Sequence, residues 1–174
     1  TNNYCNQDPA KAEYAYEQID GGLAIPHYRQ QDDRWGQEKM WDVDHGRWTT
    51  IHDYGCAAAS FAMVASYLTD TKIYPDEVNE SIGADKAGGM NAWQGDFYQV
   101  SVNFGVNPPR HTNSWEEVKE AVENNQPVIV HYVGGSLFTV AGHFIVIRGK
   151  TSDGKFLVND PSDNETGYKG GYIN

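Results

Sequence analysis

Cysteine is scarce in this chain. Its 174 residues carry two, Cys5 and Cys56, too few for a disulfide framework and, with no CxxC pair, not arranged as a zinc site. Long hydrophobic runs are missing as well. Nothing approaches the ~18 consecutive apolar residues of a membrane-spanning helix, so no membrane span is expected. Positive charge is short: 13 Lys and Arg stand against 24 Asp and Glu, a formal net charge of -11. Such a balance repels phosphate backbones and anionic surfaces. Arg29, Arg34, Lys39 and Arg47 lie scattered among carboxylates, so no nucleic-acid partner is expected. No internal repeat and no low-complexity segment is visible, and no signal peptide is expected at Thr1. The chain does not begin with Met, which reads as a processed chain or as one module of a longer polypeptide.

Aromatic residues are plentiful by contrast. Five Trp, 11 Tyr and 6 Phe exclude a disordered chain, which lacks such groups. With 39% hydrophobic residues, the length suffices for one self-supporting core.

Residues 1–24 read as an N-terminal arm with a short helix over 10–19, started by Asp8-Pro9 and ended by Gly21-Gly22. Residues 25–174 read as the main domain. Leu23 to Tyr28 is a short extended entry, and residues 30–55 read as a long irregular loop region, functional or tightly packed. Cys56 to Leu68, with no Gly or Pro and three consecutive alanines, predicts a helix buried on most sides. Further helices are predicted over Pro75–Ile82, Asn91–Phe104 and from Ser114 to about Asn125. The last opens with Ser114-Trp115-Glu116-Glu117, a capping box, and carries Trp115, Val118, Ala121 and Val122 on one face. After Gln126-Pro127 the pattern switches to strands: Val128–Val133, His143–Arg148 and Lys155–Asn159, the last stopped by Pro161. Helices followed by a strand meander make an α+β layout.

Cys56 is the sharpest chemical signal. It follows Gly55 at the first turn of the buried helix, where partial positive charge and free N–H groups favour a nucleophilic thiolate. The alternative is a small structural thiol among alanines. A thiolate needs a base, and the base needs orienting. His143 opens one strand and Asp160 ends the next across a short turn, so the two can meet; Asn159 competes with Asp160, because strand alternation lets only one of them face His143. A Cys on a helix, then a His, then Asn or Asp on following strands is the chain order of papain-like cysteine peptidases.

Four stretches carry a closer resemblance: Pro26-His27-Tyr28-Arg29-Gln30-Gln31-Asp32-Asp33-Arg34-Trp35, Tyr54-Gly55-Cys56-Ala57-Ala58-Ala59-Ser60-Phe61-Ala62-Met63-Val64, Gly142-His143-Phe144-Ile145-Val146-Ile147 and Val158-Asn159-Asp160-Pro161. In this order, over about Ile25 to Pro161, they resemble the bacteriocin-processing (double-glycine leader) cysteine peptidases, and most of all their stand-alone, C39-like soluble relatives in the papain-like clan. The resemblance implies a papain-like α+β fold, with the nucleophile helix packed on a C-terminal antiparallel sheet. It implies Cys56 as nucleophile, His143 as general base, Asp160 as the orienting acid and Gln30 as oxyanion donor, with Gln31 a rival for that last role. Ala57-Ala58-Ala59 departs from the Gly and small polar residues that follow the Cys in many relatives, and so bears on pocket shape.

The implied activity is peptide-bond hydrolysis without a required cofactor. The expected substrate is a peptide or the peptide part of a bacterial cell wall, and the expected location is extracellular or secreted. Carboxylates at Asp32, Asp33, Asp42, Asp44 and Asp53 lead up to Cys56 and favour neutral or cationic substrates. Alternatives are leader-peptide or protein processing, acyl transfer by the same residues, or a non-enzymatic binding module that presents the aromatic loop of residues 35–54. For a metal such as calcium the groups to consider are Asp42, Asp44 and His45, and Asp160, Asp163 and Glu165. The first set lacks the alternating acids and distant Glu of a Ca²⁺ loop, and a solvated loop explains the second. His27, His52, His111 and His131 read as surface or core histidines, Trp35, Trp41, Trp48 and Trp93 as core or cleft residues, and Cys5 as a spare thiol or a partner for another chain.

Overall fold

A computed structural model describes residues 22–43, 45–83, 94–132, 142–162 and 171–173. The expected arm helix over residues 10–19 and Cys5 lie outside them, as do Asp44, Trp93, Val133, Asp163 and Glu165.

Residues 30–55 are more regular than the sequence suggests. Lys39–Asp42 (β1) and Arg47–Thr50 (β2) form an antiparallel hairpin, followed at once by a one-turn helix, Ile51–Tyr54 (α1). The reason is visible at Asp42, an inward-facing position with 0% exposure. Alternation there reads Met40 in, Asp42 in, so a carboxylate breaks the apolar pattern. The fold satisfies it locally: Asp42 accepts from His45 Nδ1 at 2.7 Å and Arg47 Nε at 3.3 Å. Trp41 and Trp48, paired across the hairpin, meet edge to face at 5.2 Å, a favoured ring geometry.

Cys56–Thr69 forms the long helix α2. Alanine is the best helix former, and its small side chain lets the helix run through the core: every residue from Ala57 to Ser66 is buried. It ends at Asp70 in a left-handed conformation, φ 50°, with the Asp70 N–H bonded to Ser66 O, a common C-terminal device. The Ser66 hydroxyl is itself satisfied by donating to Ile73 O at 3.0 Å and accepting from Ile73 N–H at 3.0 Å. Pro75–Ser81 (α3) and Gln94–Asn103 (α4) follow. In Trp115–Glu123 (α5) the Ser114 side chain caps the Glu117 N–H, but the expected box is only half formed, since the Ser114 N–H donates to Thr112 Oγ1 and Glu117 pairs with Arg110; the helix stops two residues short of Asn125, which takes φ 55°.

Val128–Tyr132 (β3), His143–Lys150 (β4), Phe156–Asn159 (β5) and Gly171–Ile173 (β6) make one antiparallel sheet in the order β3-β4-β5-β6. β4 is buried on both faces because two cores meet on it. Phe144 and Val146 join Ala58, Phe61, Ala62 and Val64 of α2. Ile145 and Ile147 join Val158 and Val122 of α5. β3 is half-buried rather than fully buried, since it is the edge strand of the sheet as described. Helices packed against an antiparallel sheet confirm the α+β class. Trp35 belongs to the core at 2% exposure, stacked on Tyr74 at 5.5 Å.

Candidate active site

The first turn of α2 begins at Cys56, which is partly buried and a free thiol. Its N-cap is Gly55, which has no side chain to bond the helix N–H groups, and the first turn carries no acidic residue. No carboxylate of the first turn therefore competes for the positive end of the helix. Gly55 is dictated by the preceding turn: a Cβ there would lie 2.5 Å from Ile51 O and 2.5 Å from Ile51 Cγ2. The sharp step from α1 into α2 that presents Cys56 needs glycine at this position.

His143 is the first residue of β4 and 6% exposed. Its Nε2 lies 2.7 Å from Asp160 Oδ1, and Cys56 is near enough to bear on the charge of the ring. With Nε2 on the carboxylate, Nδ1 is the nitrogen left for sulfur. Burial disfavours the charged imidazolium, but the hydrogen bonds and negative charges of Asp160 and Cys56 outweigh it and lift the His143 pKa to about 9. Asp160 moves the other way: burial pushes it up, and the His143 contact, the Ser162 N–H at 2.8 Å and the nearby His27 pull it below the usual carboxylate value.

Of the two competitors for the third position, Asp160 faces the histidine. Asn159, the last residue of β5, is 0% exposed and turns away, donating from Nδ2 to Ile25 O and Pro26 O, each at 3.2 Å.

Gln30 is buried, at 5% exposure. Its amide Nε2 donates to His52 O at 2.8 Å, in the turn that leads to Cys56. Its backbone N–H donates to Pro161 O at 2.8 Å, next to Asp160. One side-chain N–H remains after the His52 bond, and Oε1 is buried with no partner among the described residues. The rival Gln31 is less buried and lies 3.5 Å from Ser162 Oγ.

Two histidines that the sequence reading treated as structural lie at this site. His27 Nε2 donates to the Asp160 main-chain oxygen at 2.6 Å. His131 on β3 stacks on Phe144 at 4.3 Å, with rings 3° from parallel. Burial and the charge of His143 push its pKa below the usual imidazole value. His27 had one sequence signal, its place in the Pro26–Trp35 stretch, but nothing local connects it to a residue 133 positions away. Asp42, His45 and Arg47 close the hairpin on one another, and among the described residues no three His, Cys, Asp or Glu side chains are grouped to hold a metal ion. No described helix is long and apolar enough to cross a membrane.

A model of the Peptidase_C39 like family matches residues 22–172, most of the chain. No curated protein matches it.

Proposed function

The chain belongs to the Peptidase_C39 like family, and on that premise we propose that it is a cysteine peptidase that uses Cys56, His143, Asp160 and Gln30. One observation supports this reading: His143 Nε2 lies 2.7 Å from Asp160 Oδ1, and Cys56, at the start of α2, is near enough to bear on the charge of the same ring.

The chemistry follows from that order. The Cys56 proton passes to His143 Nδ1, and the ring, whose pKa is raised to about 9, holds it at neutral pH. The thiolate sulfur attacks the scissile carbonyl carbon, and the C=O electron pair moves to oxygen. The Cys56 backbone N–H and the unused Gln30 amide N–H stabilise that oxyanion. Collapse breaks the C–N bond as the imidazolium gives its proton to the leaving amine, leaving a thioester on Cys56. Water, deprotonated by His143, then attacks the thioester carbonyl and releases the acid with the thiol restored. Asp160 keeps the ring in position and stabilises its charged form through both steps.

For substrate, we propose an extended peptide, of bacterial cell-wall type, met outside the cell. The formal net charge of -11 favours neutral or cationic chains. The carboxylates before Cys56 contribute less to that field than their number suggests. Asp32 is paired with Arg34 at 2.8 Å and Asp42 with Arg47 at 3.3 Å. The test is incubation with purified Gram-positive cell walls and with a peptide panel, read by mass spectrometry, beside Cys56→Ala. Clearing of walls with release of free amines supports the wall reading. Cleavage only after a small-residue pair in soluble peptides favours leader processing, amide transfer to an added amine favours acyl transfer, and no turnover at all leaves a binding module.

A further inference from the structure

Asp160 follows β5 directly and no longer belongs to the sheet ladder, so strand pairing does not orient its carboxylate. Other contacts do. The segment at residues 25–30 runs beside residues 159–161 and bonds each in turn: Ile25 O and Pro26 O accept from Asn159 Nδ2, His27 Nε2 donates to Asp160 O, and the Gln30 N–H donates to Pro161 O. At 2.6 Å the His27 contact is the shortest of these. It is also the one that holds the Asp160 main chain itself. A carbonyl oxygen only accepts, so His27 Nε2 carries the hydrogen.

We propose that His27 is a positioning residue of this site, clamping the Asp160 peptide from behind so that the carboxylate meets His143 in one geometry. Its catalytic consequence rests on the peptidase reading above. The clamp works on the main chain because Asp160 Oδ1 is already taken up by His143 and the Ser162 N–H. Pro161 restricts the other side of the same peptide, since its ring holds φ near −65°. Release of the carbonyl lets the Asp160 carboxylate swing, and a displacement of about 1 Å at a catalytic group is enough to cost a large factor in rate.

The readout is the titration of the His143 ring, followed by NMR. Among the described residues the titratable groups that face it are Cys56 on α2, Asp160 after β5 and His131 on β3. Of these, Asp160 is the one that His27 touches. In His27→Phe the His143 midpoint should fall below its parent value of about 9, because the imidazolium loses a well-placed partner. Activity should fall about tenfold in kcat with KM unchanged. His27→Gln places an amide N–H where Nε2 was and should restore most of both, whereas His27→Asn, one methylene shorter, should not.

An unmoved midpoint in folded His27→Phe overturns the clamp, whatever happens to kcat. If His27→Phe does not fold, equal midpoints in the Gln and Asn variants overturn it instead. The titration needs no turnover. A lowered midpoint in a protein that hydrolyses no peptide leaves the clamp standing and sinks the peptidase reading; hydrolysis with an unmoved midpoint does the reverse.

Discussion

His143 and Asp160 meet at 2.7 Å without being cross-strand partners. The β4–β5 register pairs Val146 with Asn159, which, carried one residue further, would set Asp160 opposite Ile145. The contact is therefore diagonal, a spacing that long side chains can bridge, and it forms at the open end of the sheet where α2 presents Cys56. Several outcomes depend on that arrangement.

Loss of the Asp160 charge should move the alkaline limb of activity. The parent His143 keeps its proton to about pH 9, so kcat/KM should fall above that pH. Asp160→Asn removes the carboxylate that favours the imidazolium, and the limb should shift to lower pH. The same shift acts on stability. A histidine whose pKa is raised on folding contributes fully below its unfolded value of about 6.5, and the contribution is lost as pH rises through about 9. Urea unfolding across that window should show a decline in the parent and a shallower one in Asp160→Asn. Equal slopes would mean that the pair is not coupled to folding.

Cys56 should be the thiol that carries activity. Cys56→Ala should lower kcat by at least about 10³, as loss of a nucleophile does, and iodoacetamide should label Cys56 faster than Cys5 at neutral pH. On the proposed mechanism His143→Ala should slow that labelling, since the ring would no longer take up the thiol's proton. Peptide mapping in which Cys5 reacts first and Cys56 stays unmodified would remove the nucleophile assignment.

Gln30→Ala should lower kcat by about 10² to 10³ with little change in KM, the signature of a donor used only in the transition state. Gln30→Glu offers no N–H and should behave alike. A raised KM at constant kcat would reassign Gln30 to substrate binding.

Gly55→Ala should destabilise the fold by about 1–3 kcal/mol, the usual range for overpacking. The added Cβ meets the Ile51 carbonyl at 2.5 Å, and backbone cannot yield as a side chain can. A lowered urea midpoint at unchanged slope would report this directly; a midpoint equal to the parent's would show that the α1–α2 turn tolerates a side chain.

The α2 helix was legible from Cys56 to Leu68 because its alanine-rich run has no breaker and needs no partner to be recognised, and it ends one residue later. The hairpin at 39–50 was not, because Asp42 occupies an inward position that only the folded turn, through His45 and Arg47, makes tolerable. The exposure of β3 was likewise illegible: Val128 to Val133 reads as a continuous apolar strand, and the place of Val128–Tyr132 at the edge of the described sheet depends on which strands pair.

At the site the division is similar. The sequence by itself determined the candidate set, since a Gly-Cys at a helix start, a histidine opening a strand and an Asp-Pro ending the next are local patterns, each written in a few adjacent residues. Only the tertiary structure decided between Asn159 and Asp160, and it did so through Ile25 and Pro26, whose carbonyls capture the Asn159 amide and leave Asp160 to His143. The same holds for His27, whose partner lies 133 residues away. Contacts of that separation leave no periodicity or spacing in a single chain. They follow from how the sheet and the 25–30 segment pack, and packing is a property of the whole fold rather than of any stretch within it.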